Sequence, residues 1–489
     1  MDFKNKKITV MGIGLHGGGV GVIKFLAAQG AKVLATDLRN EEQLKESLEK
    51  LAGLPVEYVL GQHRLEDFTE TEMVIKNPSV PEDSEFLKAA RDKKIPVESD
   101  IGIFFELCPA PIIGITGTKG KSTTAAILAQ ILSTQFPQVI LAGNIRQSVL
   151  EKLPEITKDT IVVLELSSWQ LADAKEHKKS PSVAVMTNIL NDHLNRYAGF
   201  QDYIEDKKLI FKFQKDKDYL FLNYTDPVLR NTAKEATSRI YFYSADGETL
   251  LKDDLPKLNQ KARLGAYRQG KNIYYGAAKE KICALRDIKL IGEHNLNNVL
   301  AAISVADLYN VPREKIKEVL RQFKGLEGRL QFIKQVGGVR YINDTAATAP
   351  DAAMAAIKTV FEQLNMENKK GGIILIAGGA DKNLNFSQLA DLIAENCRAA
   401  VLLVGTATGK LEKEIDRRLP TKKVDNMEKA VVLAAKAAKP ADIVLLSPGC
   451  ASFGLFRHEF ERGEAFNKAV VSLKIKNDNR VVILKPRSG

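Results

Sequence analysis

Short apolar runs set between polar, glycine-bearing turns recur along most of the chain, and they alternate with stretches in which apolar residues return every three or four positions. The first pattern is that of strands buried on both faces and the second that of helices packed through one stripe. Their alternation predicts parallel sheets flanked by helices, an α/β fold. Strands are expected at Ile8–Met11, Val33–Thr36, Met73–Ile75 and around Pro96-Val97, in a first unit that ends near Cys108-Pro-Ala-Pro111. A second unit starts at Ile112 and carries strands at Val139–Leu141, Ile161–Leu164 and Val183–Met186. Its later part, Tyr219–Tyr275, is richer in aromatic residues and shorter runs and is expected to form an antiparallel subsheet. Helices at Asn295–Tyr309 and Arg313–Phe323 close it. A third unit starts near Gly325, with strands at Val339–Ile342, Ile373–Ala377, Val401–Val404, Ile443–Leu446 and Val481–Leu484.

The length agrees with this division, because 489 residues exceed what one core supports. The expected domains are 1–108, 109–325 and 326–489. No apolar run approaches the roughly 18 to 20 residues of a membrane helix, so no membrane partner is expected. Lys4, Lys6 and Lys7 precede an apolar stretch in the manner of a signal peptide, but Gly12, Gly14 and Gly17 to Gly19 fit a nucleotide loop better. Cys108, Cys283, Cys397 and Cys450 are scattered, without metal or disulfide spacing, which points to a reduced, cytoplasmic protein. The net charge of +11 comes from lysines spread along the chain rather than clustered with aromatics. That favours attraction of small anionic substrates over nucleic-acid binding.

Candidate chemistry concentrates in two glycine loops. In Gly114-Ile-Thr-Gly-Thr-Lys-Gly-Lys-Ser-Thr-Thr124 an apolar run precedes the glycines and a helical pattern, Ala125–Leu132, follows. A strand, a glycine-rich turn and a helix N-terminus place the backbone of Gly117, Thr118, Lys119, Gly120 and Thr123 around a polyphosphate. Lys121 supplies a cation and the Ser122 hydroxyl a ligand for Mg²⁺. Ile115 stands where the usual phosphate-loop pattern has glycine, so this is a variant loop. Glu165 ends an apolar run, where a carboxylate at the carboxyl end of a parallel sheet reaches the crevice and can bind a hard cation. The second loop, Gly12-Ile-Gly-Leu-His-Gly17 with Asp37 twenty residues later, matches the dinucleotide fingerprint. By itself it leaves an NAD-dependent dehydrogenase open. Two nucleotide loops in one chain instead suggest that one nucleotide is consumed and the other is a handle on the substrate.

With these loops, Glu165-Leu-Ser-Ser-Trp-Gln170, Asn188-Ile-Leu-Asn-Asp-His193, Gly292-Glu-His-Asn-Leu-Asn-Asn298 and Asn343-Asp344 occur in the order seen in the Mur ligases, the ATP-dependent amide-forming enzymes of peptidoglycan assembly. The chain resembles that family from about residue 8 to residue 470. The resemblance implies a Rossmann-like N-terminal domain, a central P-loop ATPase-like domain and a Rossmann-like C-terminal domain. The glycine-rich start and Ser447-Pro-Gly-Cys-Ala-Ser452 are most similar to the branch that adds glutamate to UDP-N-acetylmuramoyl-L-alanine. A cytoplasmic monomer acting on small molecules is the matching expectation.

The resemblance also implies roles. Lys121, Glu165, His193, Lys207 and Arg329 would be catalytic. Ser122, Glu165, His193 and an N-carboxylated Lys207 would surround two Mg²⁺ ions. Asn295 and Asn298 would lie near adenine, with Arg329 on phosphate and Asp344 on ribose from the third domain, so that closure completes the site. Leu15, His16, Asp37 and Arg39 would hold the uridine diphosphate, and Asn144 and His193 would meet the muramoyl group. Thr348, Lys382, Ser452 and Phe456 would receive glutamate. Departures from the family pattern cluster on the amino-acid side: Gly328 for a histidine, Ala346 for a lysine and Glu459 for an aromatic residue. Asn195 replaces an aspartate, and Asn77-Pro78-Ser79 stands for Ser-Pro-Gly. D-glutamate is the first expectation for the amino acid and L-glutamate the second.

Overall fold

The computed structural model describes residues 1–489 except 16, 144–147, 191–196, 198, 291, 367–370, 382–383, 476–480 and 484–489. The expected alternation appears as two large sheets and one smaller one, each flanked by helices. The first sheet is five-stranded and parallel, in the order Val56–Leu60, Lys32–Asp37, Lys7–Met11, Met73–Lys76, Val97–Glu98. Val56–Leu60, not among the expected strands, is an edge strand with no fully buried side chain, so its pattern is not that of a buried run.

The second sheet has nine strands. Third from one edge, Ile112–Thr116, buried at every position, lies parallel between Ile161–Glu165 and Val183–Met186. Val139–Gly143 forms the edge beyond Ile161–Glu165. The expectation of an antiparallel subsheet over Tyr219–Tyr275 needs correction. Tyr219–Asn223, Arg239–Ser244 and Ala262–Gln269 continue the sheet in parallel, because the short helices Pro227–Thr232, Gly247–Lys252 and Leu255–Leu258 provide crossovers between them. The direction reverses only at Gly270 and Lys271, a two-residue turn leading into Asn272–Tyr275 and then Glu280–Ala284.

The third sheet runs Gln331–Val336, Val339–Asn343, Ile443–Leu446, Ile373–Ala377, Cys397–Leu403, Thr421–Val424 and is parallel apart from its first pair. Val481–Ile483, expected as a strand of this unit, pairs separately and antiparallel with Leu473–Ile475. The chain forms two compact units, residues 1–287 with 297–320, and residues 288–296 with 321–489. Among the described residues no helix is long and apolar enough to cross a membrane.

Candidate active site

The phosphate loop occupies the turn between the interior strand Ile112–Thr116 and the helix Lys121–Ser133. Its glycines are required by contact as well as conformation. Gly117 has φ +148° and a Cβ there would lie 1.9 Å from Thr187 Oγ1, while Gly120 has φ +87° and a Cβ would lie 2.2 Å from Asn298 Oδ1. The loop is fixed from beneath. Thr118 N–H donates to the Asn188 carbonyl at 2.8 Å, Lys119 N–H to Asn188 Oδ1 at 2.9 Å, and Thr187 Oγ1 to the Lys119 carbonyl at 2.6 Å. The Thr118 hydroxyl meets Tyr203 Oη at 2.9 Å and accepts from Leu190 N–H, so this side chain serves the fold. The Thr124 hydroxyl donates to Asn298 Oδ1 at 3.3 Å. The helix Lys121–Ser133 starts at this loop, so the positive end of its dipole lies at the turn.

Two lysines converge on this loop. Lys121 Nζ donates to the carbonyls of Gly117 and Thr118 at 3.0 and 3.1 Å, which holds the ammonium over the turn. Lys207, on the helix Phe200–Lys212, is 2% exposed; its Nζ donates to the Gly117 carbonyl at 2.9 Å and lies 4.7 Å from the Tyr203 ring centroid. Its neighbour Lys208 turns away and pairs with Glu205 and Glu235. The helix face therefore separates two lysines that counting alone could not.

Glu165 ends the strand Ile161–Glu165 and is 2% exposed. Its Oε2 is buried with no hydrogen-bond partner among the described residues. A carboxylate oxygen left bare inside a protein is costly unless a cation arrives. Oxygen donors of Glu165 and Ser122 suit Mg²⁺. His193 and Asn144 lie outside the described residues, as do His16 and Lys382.

A cavity of about 590 Å³ joins the two glycine loops. Leu15, Arg39 and Asn77 to Ser79 line it from the first domain; Gly117, Lys121 and Lys207 line it from the central one, with Ser167 to Gln170. Ser167 and Gln170 form a capping box that starts the helix Ser168–Asp173, a signal present in the sequence but not read as part of the site. Asp37 is 3% exposed and bonded to residues of the first-domain wall. Its Oδ2 accepts from Gly14 N–H at 3.0 Å and its Oδ1 from Arg39 N–H at 2.9 Å and from the Arg39 guanidinium at 3.3 Å, so the carboxylate braces the loop and the arginine that lines the cavity.

In the second compact unit, three loops follow the carboxyl ends of adjacent parallel strands and are knitted together. Asp344 N–H donates to the Leu446 carbonyl, Gly449 N–H to Ala347, Gly378 N–H to Pro448, and Ala380 bridges Ala451. This brings Asp344, Thr348 and Ser452 into one region. Burial pushes the Asp344 carboxyl up to about 7, opposed by bonds from Ser447 and the Leu330 N–H and by the Arg329 charge. Arg329 is exposed, and Asn295 opens the helix Glu293–Leu308. Phe456 packs partly against the core behind Ser452, whereas Phe453 is exposed. The buried Arg462, absent from the sequence-based site, donates to the Thr345 hydroxyl and carbonyl and to the Cys450 carbonyl, tying two of the loops.

Comparison with known proteins gives these features a common setting. Residues 6–99 match the Mur ligase MurD-like N-terminal domain, 115–306 the Mur ligase middle domain, and 328–450 the Mur ligase glutamate ligase domain. A UDP-N-acetylmuramoylalanine–D-glutamate ligase of Roseiflexus sp. (strain RS-1) is 44% identical over 482 residues, spanning 96% of this chain and all of the relative. The chain belongs to the Mur ligase family. A D-glutamate ligase of the same description from Symbiobacterium thermophilum is 35% identical to this Mur ligase over 96% of the chain and 98% of its own length. The fold is shared with UDP-N-acetylmuramate–alanine ligase MurC from Thermotoga maritima, with a TM-score of 0.56 at 18% identity over 96% of this chain and all of that one. The dehydrogenase reading of the first loop falls with this assignment.

Proposed function

We propose that this Mur ligase couples ATP cleavage to amide formation between UDP-N-acetylmuramoyl-L-alanine and glutamate, with D-glutamate as the amino acid. The observation that carries the reading is the continuous cavity from Leu15 and Arg39 to Lys121 and Lys207. A nucleotide-linked acid held by the first loop would present its carboxylate to the phosphates at the second. The full-length D-glutamate ligase relatives favour the same substrates.

In this reading the substrate carboxylate attacks the γ-phosphorus of ATP, ADP departs, and an acyl phosphate results. The glutamate amine then attacks the acyl carbon, and phosphate leaves. Both steps concentrate negative charge, which Lys121 and the helix N–H groups offset. Mg²⁺ bound by Ser122, Glu165, His193 and an N-carboxylated Lys207, as two ions, would neutralise phosphoryl charge. Lys207 reaches the phosphate loop, its Nζ donating to the Gly117 carbonyl, which supports a role for it beside the phosphates. Gly117, Thr118, Lys119, Gly120 and Thr123 would line the phosphates, and Asn295 and Asn298 the adenine. Arg329 would contact phosphate and Asp344 the ribose. Leu15, His16, Asp37 and Arg39 would hold the uridine diphosphate, and Asn144 and His193 the muramoyl group. Thr348, Lys382, Ser452 and Phe456 would receive glutamate. We further assign the protein to the cytoplasm as a monomer, with domains 1–108, 109–325 and 326–489.

Phosphate release from ATP, measured with UDP-N-acetylmuramoyl-L-alanine and each glutamate stereoisomer, tests the reading. Release should require both co-substrates and run faster with the D-isomer. A preference for L-glutamate would move the assignment to that isomer, and no release with either would end it.

A further inference from the structure

The cavity has a tie beneath it that no catalytic role accounts for. Lys76 and Asp173 meet at 2.7 Å, and both side chains are 5% exposed. Lys76 ends the strand Met73–Lys76 and directly precedes Asn77, Pro78 and Ser79, a wall supplied by the first domain. Asp173 ends the short helix whose opening residues, Ser168 to Gln170, form a wall supplied by the central domain. One ion pair thus connects the two pieces of chain that must keep their spacing for a ligand to fit between them.

The pair is poorly suited to be a stabilising device. Asp173 Oδ2 is buried without a hydrogen-bond partner among the described residues. Burial pushes the Asp173 carboxyl up to about 6, with Glu82 and Asp100 adding to the rise and Lys76 opposing it. Desolvating such a pair costs about as much as its attraction returns, and the best-attested use of buried ion pairs is to fix register. Lys76 also has a second partner at the surface, Glu82 at 2.7 Å, itself bound to Arg91. Loss of Asp173 therefore leaves the lysine paired but frees the central-domain wall.

We propose that Lys76 and Asp173 are positioning residues for the UDP-linked substrate, setting the distance between the Asn77–Ser79 wall and the Ser167–Gln170 wall. This rests on the cavity reading given under Proposed function. The test is calorimetric binding of UDP-N-acetylmuramoyl-L-alanine and, separately, of ATP to the full-length protein, with steady-state kinetics alongside. Asp173→Asn should raise the Kd and KM for the UDP-linked substrate by about tenfold, leaving the ATP Kd and the saturated kcat within about twofold; a purely structural role would lower Tm without this split. Lys76→Met combined with Asp173→Leu removes both charges at little cost to folding and should show the same tenfold loss. Glu82→Gln should bind like wild type. Wild-type affinity in either folded Asp173 variant would overturn the positioning role while leaving the ligase reading intact. A wild-type protein that does not bind the UDP-linked substrate would overturn both.

Discussion

Replacing Lys121 by alanine is expected to lower kcat/KM by about a thousandfold, with ATP binding weakened as well. The ammonium is held over the phosphate loop by the carbonyls of Gly117 and Thr118, so it is placed before any nucleotide arrives. A charge fixed in that way loses little reorganisation energy when negative charge develops on a phosphoryl group, and its deletion removes stabilisation that water cannot replace inside the cleft. The phosphate-release assay reads the effect directly. Lys121→Arg should recover only part of it, because a planar fork does not reproduce a point charge above a tight turn. Activity of Lys121→Ala within tenfold of wild type would contradict the role.

Glu165→Gln should produce two opposed effects. The buried Oε2 accepts no hydrogen bond among the described residues, so replacing the carboxylate by the isosteric amide removes a buried acid that lacks a full set of donors and should raise Tm in EDTA. In the presence of Mg²⁺ and both substrates, kcat should instead fall by about a hundredfold or more, and saturation should need more Mg²⁺. A Glu165→Gln protein that is less stable without metal, or fully active with it, would show that the carboxylate serves the fold rather than a cation.

The parts of the fold legible in the sequence are those where burial on both faces leaves an uninterrupted apolar run. Ile112–Thr116, Val183–Met186, Ile373–Ala377 and Ile443–Leu446 are of this kind, and all are interior strands. The unread strands Val56–Leu60, Gln331–Val336 and Thr421–Val424 lie at sheet edges, where charged and exposed residues interrupt the pattern. Apolar periodicity does not encode strand direction in the aromatic segment after Tyr219; direction there is set by whether a helix or a two-residue turn intervenes.

The site shows a similar division. The glycine loop and Lys121 are legible because their spacing is local. The orientation of Lys207 against Lys208 is decided by what packs on each helix face, which one sequence does not display. The part played by Asp37 is not local in this way, because an acid after a glycine loop can meet a ligand, brace the loop, or do both. The tie between Lys76 and Asp173 joins residues nearly a hundred positions apart, and neither stands in a motif.

The central claim is that ATP cleavage activates the carboxylate of the UDP-linked substrate. It is tested most directly by labelling that carboxylate with ¹⁸O and analysing the phosphate released during ligation by mass spectrometry. One labelled oxygen should pass into each phosphate as the amide forms. Amide product accompanied by unlabelled phosphate would contradict the account.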